Sequence, residues 1–205
     1  MKKGKLLIAA VLLFAIGAPI AGFVSEKDMP QPMTFSGVDV PFLQGFFSDG
    51  GEGLASLERA DEWLNSPPLK APDLRGKVVL VDFWTYTCIN WLRTLPYVRA
   101  WAEKYKDQGL VVIGIHTPEF AFEHDLPNVR REVHDLGVDF PVAVDNDYGV
   151  WNAFDNHYWP ALYFADAQGR IRHHHFGEGE YGQSEMVIQQ LLGEAGSTEI
   201  GRAHV

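Results

Sequence analysis

The side chain in this sequence best suited to covalent chemistry is Cys88, its only cysteine. It lies in Val78–Pro96, VVLVDFWTYTCINWLRTLP: an apolar run ends in Asp82-Phe83-Trp84, a short turn Thr85-Tyr86-Thr87 follows, and a helical pattern opens at the cysteine. A helix N-terminus carries partial positive charge and free N–H donors, and both favour thiolate over thiol. Thiol–disulfide chemistry ordinarily uses a second cysteine three residues on, which resolves the mixed disulfide by intramolecular attack. Here that position is Trp91. Residues at this spacing share a helix face, so the indole is expected to pack against the sulfur or to offer an apolar docking surface. One cysteine excludes an intramolecular disulfide and a cysteine-rich zinc site.

Other residues invite chemical readings. His173-His174-His175 resembles a metal tract, but on a strand only His173 and His175 share a side, and two imidazoles without a third ligand make a weak site. They are read as solvent-facing strand residues, and neither a metal nor a cofactor is expected. His116, at the end of an apolar run, is expected to make a structural hydrogen bond near the cysteine. Glu119 and Arg93 are ambiguous between a role near the thiol and plain solvation. Trp151, Phe154, Tyr158 and Trp159 read as core, because they precede a buried strand at helical spacing.

The elements that must hold these residues follow from periodicity. Leu54, Leu57, Ala60, Trp63 and Leu64 have helical spacing up to Pro67-Pro68, and Leu74–Lys77 turns into a strand over 78–84. The helix after Cys88 repeats its apolar positions every 3.6 residues, with Pro96 expected to kink it and Gly109 to close it. Further strands are expected at Leu110–Ile115, Phe140–Val144, Ala161–Ala165 and Arg170–Phe176, with helices near Val129–Leu136, Tyr148–Phe154 and Glu185–Leu192. Strand, helix, strand calls for a right-handed parallel crossover, and Asp166–Gly169 is a hairpin turn.

The chain has 205 residues, 46% of them hydrophobic, and a formal charge of −10 with no basic run beyond its start. That suits one globular domain with appendages and argues against a nucleic-acid partner. Lys2, Lys3 and Lys5 precede an uncharged run, Leu6–Val24, so residues 1–24 read as a signal peptide or signal-anchor that contacts the membrane. The remainder is expected to be extracytoplasmic (periplasmic), membrane-tethered or secreted. Residues 25–53, rich in proline and glycine, read as a linker before a domain over 54–195. Residues 199–205 are encodable by the start of a common short-read sequencing adapter, and the natural chain is expected to differ after about Ser197.

Taken together, Leu74-Arg75-Gly76-Lys77, Val81-Asp82-Phe83-Trp84, Cys88, Pro96, His116-Thr117-Pro118-Glu119-Phe120, Tyr158-Trp159-Pro160-Ala161 and Phe176-Gly177-Glu178-Gly179 resemble the TlpA-like redoxin branch of the thioredoxin fold. They also resemble the C-terminal region of DipZ-type proteins. The resemblance implies an α/β thioredoxin-like domain, a central mixed sheet with helices on both faces. It implies a cis peptide before Pro160 facing the cysteine, and a buried proton-transferring acid at Asp82. The family pattern is Cys-x-x-Cys; this sequence has Cys88-Ile89-Asn90-Trp91. Three functions follow as expectations. One is a single-cysteine thiol–disulfide oxidoreductase with protein or small-molecule thiols and disulfides as partners. Another is a peptide-binding module using a groove around Trp84, Trp91, Trp159 and Pro160. The third is a one-cysteine peroxidase, since Thr85 and Cys88 form a Thr-x-x-Cys, although Val81 stands where that signature has proline.

Overall fold

A computed structural model describes residues 52–198 together with Gly201 and Ala203. The expected export segment, nearly all of the linker and most of the 199–205 tail lie outside the described residues. Among the described residues no helix is long and apolar enough to cross a membrane.

Strand β2 (Val78–Trp84) is buried along its whole length, as a central strand flanked on both edges and covered on both faces must be. It pairs in parallel with β3 (Leu110–His116) and antiparallel with β5 (Ala161–Ala165). Outward from β3 lie β4 (Val142–Val144), parallel, and β1 (Glu62–Leu64), antiparallel to β4. Beyond β5 lies β6 (Ile171–Phe176), antiparallel. The result is a mixed six-stranded sheet in the order β1-β4-β3-β2-β5-β6.

The alternation of β2 divides the core in two. Val78, Leu80 and Trp84 face Trp91, Leu95, Val98 and Trp101 of α1 (Ile89–Tyr105), with α2 (Leu126–Asp135) and α4 (Tyr181–Glu194) on the same side. Val79, Val81 and Phe83 face the 3₁₀ turn Gly53–Arg59 and α3 (Gly149–Ala153), through Leu57, Val150 and Trp151. Helices therefore cover both faces, as expected. The α1 crossover places the C-terminal ends of β2 and β3 side by side, with Trp84 opposite His116.

Two expectations need correction. The helix read over 54–64 is a 3₁₀ turn ending at Arg59, followed by β1. Ala60 is extended, and Glu62–Leu64 pair with the exposed edge of β4, so sheet hydrogen bonds prevail over an apolar spacing that suited both structures. The strand read from Phe140 begins only at Val142, because Pro141 has no N–H to give the ladder. Pro96 lies inside α1, which runs without interruption from Ile89 to Tyr105.

One glycine is sterically required. A Cβ on Gly114 of β3 would stand 2.8 Å from Trp84 Nε1 and 3.0 Å from the Phe140 ring. The indole of Trp84 occupies the space a side chain would take, as a glycine inside a strand often signals.

Candidate functional site

Cys88 closes the turn after β2. Its N–H donates to Thr85 O at 3.2 Å, and its own carbonyl accepts from Leu92 N at 2.9 Å. Its backbone is extended (φ −70°, ψ 107°), so it is the N-cap of α1 and projects its side chain before the helix begins. The thiol is half-buried, and Sγ lies 3.7 Å from the carbonyl oxygen of Trp159. The Trp159–Pro160 peptide is cis. Its loop is held by Gly177 N donating to Pro160 O at 2.8 Å and by Trp159 Nε1 donating to Thr117 O at 3.0 Å. Residues 71 apart in sequence thus meet at the sulfur.

Below this surface Trp91 is fully buried, and its ring stacks on Trp84 with centroids 4.1 Å apart and planes 21° apart. Its Nε1–H donates to Asp82 Oδ2 at 2.9 Å. Oδ1 of Asp82 is buried without a protein partner. Burial pushes the Asp82 carboxyl up to about 7, against the Trp91 hydrogen bond, which favours the ionised form. The tryptophan at the usual resolving-cysteine position is therefore bonded to the buried acid. Neither Trp84 nor Trp91 has surface to offer a partner, which corrects the expectation that both line a docking groove.

His116 is buried beside this cluster, edge-on to Trp84 (4.9 Å) and stacked on Tyr86 (5.6 Å). Both ring nitrogens lack partners, so the expected structural hydrogen bond is not made. Burial lowers its pKa to about 4, despite the opposing charge of Glu123, and the ring is neutral at pH 7. Strand geometry brings His116 under the turn without bringing it an acceptor.

Glu123, for which the sequence alone predicts no role, is the acid that reaches the cysteine turn. Oε1 accepts from Thr87 Oγ1 at 2.5 Å, and Oε2 accepts from the backbone of Glu119 (2.7 Å) and Phe120 (2.9 Å). Burial would raise its pKa, but the Thr87 hydroxyl and the backbone N–H groups help to outweigh it, and the carboxyl lies below its ordinary range. Asp82 and Glu123 are thus pushed in opposite directions, one by burial and the other by the hydrogen bonds it accepts. Tyr86 Oη donates to Phe122 O at 3.1 Å, so two bonds tie the turn to the 119–123 segment. Glu119 itself is exposed and contributes only its N–H. A carboxylate three residues after Phe120, capping a short turn, was the available sequence signal.

Thr85 is buried, and its hydroxyl makes no hydrogen bond of normal geometry. Arg93, one turn along α1, pairs with Glu178 at 3.1 Å rather than with the sulfur. The histidine tract lies on edge strand β6, with His173 against Phe164 and His174 against Phe176. Among the described residues no group of three or more His, Cys, Asp or Glu is placed to hold a metal ion. Of the exposed large apolar residues, Ile89, Phe122, Tyr158 and Phe176 belong to segments that meet around Cys88.

A cysteine heading α1, a cis-proline loop against its sulfur and a buried acid on β2 are the features of a thioredoxin-like redoxin domain. Residues 61–174 match the AhpC/TSA family, and the chain belongs to it. It is 48% identical over 157 residues to the protein DipZ of Mycobacterium tuberculosis, across 72% of this chain and 23% of DipZ. The chain therefore spans under a quarter of that relative's length. It is 29% identical over 132 residues to the thiol-disulfide oxidoreductase YkuV of Bacillus subtilis, across 64% of this chain and 88% of YkuV. The solution structure of a thioredoxin-like protein in the oxidised form superposes with a TM-score of 0.63 at 28% identity, covering 72% of this chain and 99% of the other.

Proposed function

We propose that this chain is an extracytoplasmic single-cysteine thiol–disulfide oxidoreductase that works through mixed disulfides at Cys88. The observation that carries the reading is the pairing of a half-buried Cys88 against the Trp159 carbonyl with a fully buried tryptophan at the resolving position. The Cys88 thiolate attacks one sulfur of a partner disulfide R–S–S–R′; the Cys88–S–S–R bond forms as the partner's S–S bond breaks, and R′S⁻ leaves. Trp91 carries no thiol, so the adduct persists until an external thiolate R″S⁻ attacks it. Attack at the R sulfur forms R–S–S–R″ and returns the Cys88 thiolate, so electrons and atoms balance without a cofactor.

In this reading the Trp159–Pro160 segment is the backbone docking point, and Asp82 exchanges the proton of the thiol. The exposed side chains of Ile89, next to Cys88, and Tyr158, next to Trp159 and packed on exposed Phe176, favour a polypeptide partner, because exposed apolar side chains beside a site mark an interaction surface. Support for the compartment comes from the lysines and uncharged run of residues 1–24, a segment that also supplies the membrane contact.

The test is a non-reducing gel of the full chain from its native host, beside Cys88→Ala. Reducible higher-mass adducts in the wild type and none in the variant are expected, and mass spectrometry of those bands names the clients. Adduct-free wild-type protein sinks the reading. Equal capture of the same partners by Cys88→Ser would assign the site to peptide binding instead.

A further inference from the structure

Trp91 stands where a resolving thiol would stand, and its geometry is that of a working part rather than a space-filler. The ring is fixed from one side by the stack on Trp84, and Trp84 is fixed in turn against Gly114, where no Cβ would fit. That stack aims the indole N–H at Asp82 Oδ2. A hydrogen-bond donor lowers the cost of ionising a carboxylate removed from water. Oδ1 has no protein partner, so Trp91 is the only hydrogen-bond donor that the described residues give this side chain.

We propose that Trp91 is a positioning residue for Cys88 chemistry, its indole N–H orienting Asp82 and stabilising the ionised carboxylate that takes up the thiol proton. The proposal rests on the reading of Cys88 as the nucleophile. It explains why a buried acid accompanies a site with no second thiol: the hydrogen bond that replaces that thiol keeps the acid in use.

The surroundings leave Trp91 as the specific partner of Asp82. Gly114 on β3 and Leu162 on β5 flank Asp82 in the sheet and carry no charge. On the same face β3 adds His116, which burial keeps neutral at pH 7, and the head of α1 adds Cys88. On α4, Glu185 accepts from Tyr105 and the Tyr181 hydroxyl lies against that of Thr94. On α2, Arg131 and Glu132 pair with each other at the surface, and Arg130 pairs with Glu62. Glu123 is engaged by Thr87 and two backbone N–H groups.

The experiment follows the Asp82 carboxyl by carbon-13 NMR in the reduced full chain, in wild type, Trp91→Phe and Asp82→Asn. Cys88 alkylation by iodoacetamide is followed against pH in the same samples. Phenylalanine keeps an aromatic ring and deletes the N–H. The Asp82 midpoint is expected near neutrality in the wild type and about one to two pH units higher in Trp91→Phe, the loss of one hydrogen bond to a charged group. The alkylation profile should carry the same inflection in wild type, move upward with it in Trp91→Phe, and lose it in Asp82→Asn. An unchanged midpoint in Trp91→Phe overturns the proposal, as does an alkylation profile indifferent to both variants. Should Trp91→Phe fail to fold, the wild-type indole N–H resonance decides. It must titrate with Asp82 and become flat in Asp82→Asn, and a resonance flat in the wild type refutes the coupling. If these shifts are found but the host yields no Cys88 adducts, the proposed oxidoreductase function fails and the Trp91–Asp82 assignment stands.

Discussion

At the residue scale, the site is governed by two buried titratable groups that burial shifts in opposite directions. Asp82 is raised from 3.8 to about 7, so its contribution to stability is complete below pH 3.8 and is lost as pH rises through 7. His116 is lowered from 6.5 to about 4, so its contribution is complete above pH 6.5 and is lost as pH falls through 4. The two effects oppose each other over one window, and single substitutions expose them. Relative to wild type, Asp82→Asn should gain stability as pH rises from 4.5 to 7. His116→Phe should gain as pH falls from 6.5 to 4.5, since His116 makes no hydrogen bond to lose. Each gain is at most about 1.4 kcal/mol per pH unit. Urea midpoints measured from pH 4.5 to 7.5 check both slopes, and parallel curves for all three proteins would contradict the assignment.

At the element scale, the contact that shapes the site runs between β3, β2 and α1 through Gly114, Trp84 and Trp91. Trp84 fits only because β3 has no side chain at Gly114, and Trp91 finds Asp82 only because Trp84 holds its ring. Gly114→Ala should therefore force the Trp84 ring to move and cost about 1–3 kcal/mol, as overpacking of a dense core does. Near-ultraviolet circular dichroism should change with it, because two stacked indoles are disturbed together. An alanine variant with wild-type stability and an unaltered aromatic spectrum would show that the packing relaxes elsewhere. The 119–123 segment is the second positioning element: Glu123 and the Phe122 carbonyl hold the Thr87 and Tyr86 side chains, and with them the turn that presents the thiol.

At the scale of the whole molecule, two apolar cores share one sheet, and β2 contributes to both. Unfolding either face exposes the other side of the same strand, so the domain should unfold in a single cooperative transition. Tryptophans lie on both faces, Trp84, Trp91 and Trp101 on one and Trp151 on the other. Tryptophan fluorescence and far-ultraviolet circular dichroism should give coincident urea curves, and separated midpoints would mean the faces melt independently. Gly201 and Ala203 meet Tyr105 and Glu185 at the far end of α1, and no function is attached to that contact. The fold was legible in the sequence because it rests on local signals: strand and helix periods, the cysteine at a strand-to-helix turn, and Trp159-Pro160 before an apolar run. The absence of a second thiol was legible too, since it is a matter of composition. Trp91 on Asp82, Glu123 on Thr87, a buried His116 without partners and the concealment of Trp84 were not legible. Each depends on which side chains meet across separate elements, and a one-dimensional pattern gives a residue's face but not the atom it will touch. The 54–64 segment failed for the same reason: its spacing suited a helix, and only the open edge of β4 made part of it a strand. Sequence alone thus determined that Cys88 stands at a strand-to-helix turn with tryptophan, not a second cysteine, three residues on. Tertiary packing decided that the residue in that partner's place would bond to the buried acid, because only the closed sheet and α1 bring Trp84, Trp91 and Asp82 within one hydrogen bond and one stack of each other.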